Sequence, residues 1–342
     1  MLKIAIAFST LGIAILIILF ATKPDSLGVN HPLSISKRIF IEPDLKKVTN
    51  FEVVGKIIRI WRDKKHIWVS DANSKQIIEF TRNGIKSNEY GKPGGAIWEN
   101  GSIWYFNKTG NTYYDYDYSH NAIRRFSISD DTLSYYYKPE IQVGNTIQYS
   151  DSLFFISDFE TDTPKFKLID IQEKRTVQEF SFQELVEKEF GSFPRVNKSL
   201  IFEGQYASNG TDVVYICYKF SCYFLLSGNG SIKLGRTIDG FDLPRAKNVD
   251  IGGGYTISGI EPDNFVNYAS AISDTQLMIL SNVVKESQSE NRILDIYDLE
   301  TLEYQNSILI PNFEKQRPID LAYANGELTI LYENFSIVNY AY

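Results

Sequence analysis

Apolar residues along this chain cluster in runs of about five, set off by polar turns, and do not recur at the three-to-four spacing of an amphipathic helix. Six runs stand out: Ile67–Asp71, Ile103–Asn107, Leu153–Ser157, Val213–Cys217, Leu277–Ser281 and Leu328–Tyr332. Each follows a turn signal, such as Asn100-Gly101, Asn209-Gly210 or Asn325-Gly326, where Asn, Asp and Gly tolerate the positive φ of a tight hairpin. A unit built on such strongly apolar strands cannot bury both of its faces alone, so neighbouring units must stack. The pattern predicts that each run is the second strand of a recurring four-stranded unit.

Three units share a finer rhythm of two apolar runs around a four-residue loop. They are IWVSD-ANSK-QIIEF from Ile67, VVYIC-YKFS-CYFLL from Val213 and LTILY-ENFS-IVNYA from Leu328. Four-stranded units recurring every ~40 to 60 residues are the signature of propeller blades. The sixth unit reaches Tyr342 with only three strands. Its missing fourth is expected from Ser36–Ile41, which would close the ring and remove two exposed edges. The fold class that follows is all-β, a six-bladed β-propeller over residues 36–342 with an N-terminal strand closing the last blade.

The stretch His66–Gly95 resembles an NHL repeat, with Val69, Asp71, Asn73, Phe80, Gly84 and Gly94 at matching places. Beyond its first residues the chain is similar to NHL and TolB-like six-bladed propellers. This resemblance implies the fold and carries over no active site. Propellers of this class include binding proteins, lyases and lactonases.

Ahead of the repeats, Ile4–Ala21 carries no charge and approaches the length needed to span a ~30 Å hydrocarbon core. Residues 1–22 are therefore expected to be a signal anchor forming a single transmembrane helix, with 23–35 as a tether. The propeller then lies outside the cytoplasm, periplasmic or extracellular. A cleaved signal peptide is the alternative, although Leu19 is large for the −3 position of a cut after Ala21. The net charge of −7 is spread along the chain without a Lys/Arg run, which argues against a nucleic-acid partner.

Loops between strands 2 and 3, and between blades, share one face and are the long ones. Phe159–Pro164, Val283–Asn291, Phe182–Asn197 and Thr237–Asp263 are examples. Recognition is expected there. The segment Lys108–Ala122 reads as another such loop, and its Tyr113, Tyr114, Tyr116, Tyr118 and His120 are the candidate binding residues. The closing strand geometry puts the tether on the opposite, short-loop face. Cys217 and Cys222 flank a four-residue loop and are expected to form a disulfide. Asp158, Glu160 and Asp162 alternate as calcium ligands do, but Thr163 and Ile169 stand where an EF-hand wants Gly and Glu. No cofactor is expected from the motifs, with calcium the one candidate. The leading expectation is an envelope-anchored binding or scaffold module for a protein or extended ligand. The alternative is a lactonase- or lyase-like enzyme with a divalent metal in the central channel.

Overall fold

A computed structural model describes residues 37–42, 45–159, 164–192, 198–227, 229–240, 242–253, 255–261, 265–284 and 292–342. Among the described residues there are six antiparallel sheets of four strands and one two-stranded sheet. In chain order the blades are β2 to β5 (Ile57–Arg62, His66–Asp71, Gln76–Thr81, Lys86–Tyr90) and β6 to β9 (Ile103–Thr109, Thr112–Asp117, Ala122–Ser127, Thr132–Tyr137). Then come β10 to β13 (Thr146–Gln148, Leu153–Asp158, Lys165–Asp170, Arg175–Ser181) and β14 to β17 (Gly204–Ser208, Val213–Cys217, Cys222–Leu226, Ile232–Arg236). An extra hairpin, β18 and β19 (Arg245–Gly252, Tyr255–Glu261), precedes the fifth blade, β20 to β23 (Asn267–Ile272, Gln276–Val284, Arg292–Asp298, Tyr304–Ile310). The sixth blade is β24 to β26 (Pro318–Ala324, Glu327–Tyr332, Ser336–Ala341) completed by β1 (Lys46–Glu52).

Burial follows strand position. Second and third strands such as β15 and β16 are buried at every residue, because blades stack against both of their faces. Outer strand β9 alternates exposed and half-buried, as a strand with one wet face should. Aromatic residues supply much of the inter-blade filling. Phe166, for example, stacks on Phe182 at 4.8 Å and meets Phe224 edge-on at 5.3 Å.

Two sequence expectations need correcting. The ring is closed by β1, not by Ser36–Ile41. β1 pairs with β26 from Lys46↔Ala341 to Glu52↔Ser336. Its apolar content is low, since an outer strand buries little, and this made it hard to see. Residues 39–41 instead lie parallel to β23, exchanging backbone hydrogen bonds with Ser307 at 2.9 and 3.0 Å. Arg38 anchors them from within, with Nε and Nη2 donating to Asp295 (2.8 and 2.7 Å) and Nη2 also to Asp239 (2.6 Å).

Blade 2 is also shifted in register. Ile103–Thr109 is its first, innermost strand, and Thr112–Asp117 is its second. Thr109 pairs with Thr112 across the two-residue turn Gly110-Asn111, with Gly110 at φ 59°. The tyrosine-rich segment is therefore a strand and not a loop.

Helices α1 (Gln183–Phe190) and α2 (Lys198–Ile201) sit in the join from blade 3 to blade 4 on the long-loop face. Among the described residues no helix is long and apolar enough to cross a membrane. The expected anchor 1–22 and tether 23–35 lie outside the described residues.

Candidate functional site

The six innermost strands, β2, β6, β10, β14, β20 and β24, surround a central channel of about 270 Å³. Strand direction fixes which end is which. Each inner strand starts on the long-loop face, so Arg59, Gln205 and Asp320, early in their strands, lie toward that mouth. Arg62, late in β2, lies toward the short-loop end.

Arg59 reaches across the channel from β2 to blade 4. Its Nη1 donates to Gln205 Oε1, and its Nη2 donates to the Tyr218 hydroxyl at 2.5 Å. Tyr218 in turn donates to Gln205 Oε1 at 3.3 Å. Burial works against the Arg59 charge, yet Tyr218, Asp320 and Glu203 outweigh it and hold the guanidinium pKa above its ordinary value. Burial pushes Asp320 up to about 6, with Arg59 and the backbone N–H groups of Leu321 (2.9 Å) and Ile60 (3.2 Å) pulling the other way. Tyr218 is also raised by burial despite Arg59, so its phenol stays protonated and acts as a hydrogen-bonding group.

A second cavity of about 180 Å³ opens beside this mouth and shares Trp104 with the channel. Trp104 stacks on Tyr118 with centroids 4.8 Å apart and planes at 22°. Phe159, Leu200, Tyr215 and Glu203 complete its wall. The mouth thus joins an aromatic shelf on blades 2 to 4 with a guanidinium held rigidly over the channel.

At the other end Arg62 is paired with Glu327 at 2.9 Å and donates to Thr329 at 2.5 Å. Burial and the neighbouring Arg82 lower it to about 10. This end is already charge-matched internally.

The structure separates the sequence-predicted residues. Tyr113, Tyr114 and Tyr116 are buried in β7 (1%, 5% and 0% exposed) and fill the spaces between blades. Tyr113 stacks on Phe126 at 4.8 Å and donates to Asp131 at 2.6 Å. Tyr116 donates to the Val143 carbonyl at 2.7 Å. Only Tyr118 (38% exposed) and His120 reach the long-loop face, with His120 Nδ1 2.9 Å from Asp117. Sequence reading missed Trp104, Arg59, Tyr218, Gln205 and Asp320. Nothing marks them locally, since they come from four blades and meet only when the ring closes.

Cys217 and Cys222 are adjacent and buried, with sulfurs 3.4 Å apart as free thiols. Of the calcium candidates, Glu160 and Asp162 lie outside the described residues, and Asp158 is ion-paired with Lys167 at 2.6 Å.

Lactonase-like rings hold a divalent metal with carboxylate and amide groups from several blades. Here the long-loop end of the channel offers Asp320, which accepts two backbone N–H groups, and Gln205, whose oxygen is taken by Arg59. A divalent ion placed there would face a guanidinium. This donor set does not fit a metal centre. Among the described residues no group of three or more His, Cys, Asp or Glu side chains is gathered as a ligand set.

Comparison with solved structures places the fold. The chain is similar to selenomethionine-substituted virginiamycin B lyase from Staphylococcus aureus, at TM-score 0.51 and 10% identity over 87% of this chain and 100% of that one. An inactive variant of the same Staphylococcus aureus enzyme, solved with quinupristin, matches at TM-score 0.50, also at 10% identity and with the same coverage. A streptogramin B lyase structure matches at TM-score 0.50 and 9% identity, over 86% and 96% of the two chains. At these identities the likeness is one of fold. No protein-family model matches the chain, and no curated protein matches it in sequence.

Proposed function

We propose that the chain is a ligand-binding propeller, held at the cell envelope through residues 1–22, whose site is the long-loop mouth of the channel. The observation carrying this reading is Arg59, fixed across the mouth by Tyr218 and Gln205 beside the Trp104–Tyr118 shelf. A preorganised cation next to a rigid aromatic surface suits an extended ligand that offers both apolar and polar groups. The short-loop end has its arginine matched by Glu327 and lacks that arrangement.

The test is co-purification from the producing cell after mild solubilisation. Arg59→Met and Trp104→Ala, each melting within a few degrees of the parent, are expected to lose a stoichiometric partner that the parent retains. Retention by both variants would contradict the reading.

A second reading is favoured by one observation. Asp320, at about 6, has the acidity of a general acid–base group and faces the same mouth. In an eliminating or hydrolysing enzyme it would move the proton and Arg59 would orient an anionic substrate. The lyases named above share only the fold with this chain, so they lend this reading no residues.

A further inference from the structure

Strand 2 carries polar residues toward its long-loop end in several blades: Ser70-Asp71, Asp117 after Tyr116, Ser157-Asp158 and, two residues short of the end of β21, Ser281-Asn282. Asp71 and Asp117 stand opposite the first residues of their inner strands, Ile57 and Ile103, and the blade-5 residue in that place is Ser281, opposite Asn267, with the amide Asn282 one position further on.

Blade 2 shows how a buried arginine on strand 3 is satisfied by a carboxylate of the neighbouring strand 2. Arg124 is fully buried, and its Nε and Nη2 fork onto Asp115 at 2.8 and 2.7 Å. Asp117 lies 3.5 Å away, and Asn100 and two backbone carbonyls take the remaining donors.

Blade 5 buries Arg292 on its own third strand, 1% exposed, without such a partner. Nη1 donates to Asn282 Oδ1 at 2.6 Å, while among the described residues Nε and Nη2 find no hydrogen-bond acceptor. The guanidinium lies on the Tyr268 ring, 3.8 Å from its centroid. Among the described residues no carboxylate lies within ion-pair distance. A charge buried with one edge unsatisfied is costly and calls for an explanation.

We propose that the Nε–Nη2 edge of Arg292, backed by Tyr268 and held by Asn282, receives a carboxylate from an extended polypeptide lying across the long-loop face. This rests on the mouth as the ligand-binding face and names the chemistry it reads.

The two N–H groups of one guanidinium edge match the two oxygens of a carboxylate. Among the described residues Arg317 and Glu333 act on the Arg292 charge in opposite senses and offset one another, which leaves the single positive charge of Arg292 and suits a monoanion better than a phosphate dianion. A row of rings links this point to the channel. Tyr268 stacks on Phe265 at 5.8 Å, Phe265 meets Tyr218 at 5.6 Å, and Tyr218 holds Arg59. Lys219 stands over Phe265 at 5.7 Å, so every ring in the row carries a cation. Three rings with successive centroids 5.8 and 5.6 Å apart make an extended apolar surface beside the guanidinium, which suits a peptide better than a single small ion. Because the Arg292 edge is buried, the carboxylate must arrive on a side chain or at a chain terminus.

The experiment uses four dye-labelled peptides of one aromatic-containing sequence and reads fluorescence anisotropy. One carries glutamates with an amidated end, one a free C-terminus without glutamate, one both, and one neither. Peptides with a carboxylate are expected to bind roughly tenfold or more tighter than the neutral one, and their ranking assigns side chain or terminus. Asn282→Asp supplies the carboxylate internally, so it is expected to raise the melting temperature and abolish that preference.

Equal binding of the neutral peptide, no binding by any peptide, or a preference that survives Asn282→Asp would overturn the proposal. So would displacement by inorganic phosphate at concentrations where acetate has no effect. If the neutral peptide binds equally while Arg59→Met still loses the cellular partner, the carboxylate site falls and the mouth stands.

Discussion

Arg38 sits between Asp239 and Asp295, two carboxylates that share one buried space. Burial pushes Asp239 up to about 6 even with Arg38 beside it, and Asp295 adds to that rise. Replacing Arg38 with Met leaves both carboxylates without a counter-charge, at a cost of about 3–5 kcal/mol. Urea unfolding should show that loss, and adding Asp239→Asn should recover part of it. A variant as stable as the parent would mean the cluster is solvated. Asp320 permits a pH test. Its folded pKa of about 6 lies above its ordinary value of 3.8, so the folded state holds the proton more tightly. The stability this group contributes is full below pH 3.8 and is lost as pH rises through 6. Asp320→Asn should therefore flatten part of the decline in melting temperature between pH 4 and 7. An unchanged slope would place the titration elsewhere.

At the scale of strands, the repeat rhythm was readable wherever two apolar runs flank four polar residues. Blade 2 has it as well, as YYDYD-YSHN-AIRRF from Tyr113. Alternating Asp and Tyr disguised a buried strand as a polar loop, because Asp115 is neutralised by Arg124 from the next strand and Asp117 caps the following loop. Asp71 and Asp117 do the same job. Asp71 accepts the N–H groups of Asn73 (3.0 Å) and Ser74 (3.1 Å), and Asp117 accepts those of Ser119 (2.9 Å) and His120 (3.3 Å). The closing strand was missed for the opposite reason. Lys46–Glu52 is a polar outer strand held largely by backbone pairing and by Asn339, which donates to Thr49 at 2.8 Å. Deleting residues 46–52 should open the ring and yield an aggregating chain. Removing only residues before 43 should keep cooperative unfolding at a lower midpoint. Equal behaviour of the two deletions would contradict this division of labour. Cys217 and Cys222 end and begin paired strands, and we propose that they close to a disulfide in an oxidising compartment. Burial raises the Cys222 thiol well above its usual range, which disfavours exchange chemistry. Non-reducing alkylation and mass spectrometry should find no free thiol in exported protein; two alkylated cysteines would refute it.

For the molecule as a whole, six blades were countable in the chain, whereas the channel mouth was not. Arg59, Gln205, Tyr218 and Asp320 are separated by up to 261 positions and become neighbours only through ring closure. The two ends of the channel then differ in kind. The short-loop end ties Arg62 to Glu327, while the long-loop end presents Arg59, the Trp104–Tyr118 shelf and the row of rings toward Arg292. Described residues 38–41 run beside β23 from its short-loop end, near Tyr304 and Ser307. The most direct measurement is photo-cross-linking in the producing cell with benzoylphenylalanine placed at Tyr118 on the long-loop rim or at Thr211 on the short-loop rim. A discrete adduct from position 118, absent from 211 and lost with Arg59→Met, is the predicted result. An adduct from 211 alone would put the working face on the other side of the ring.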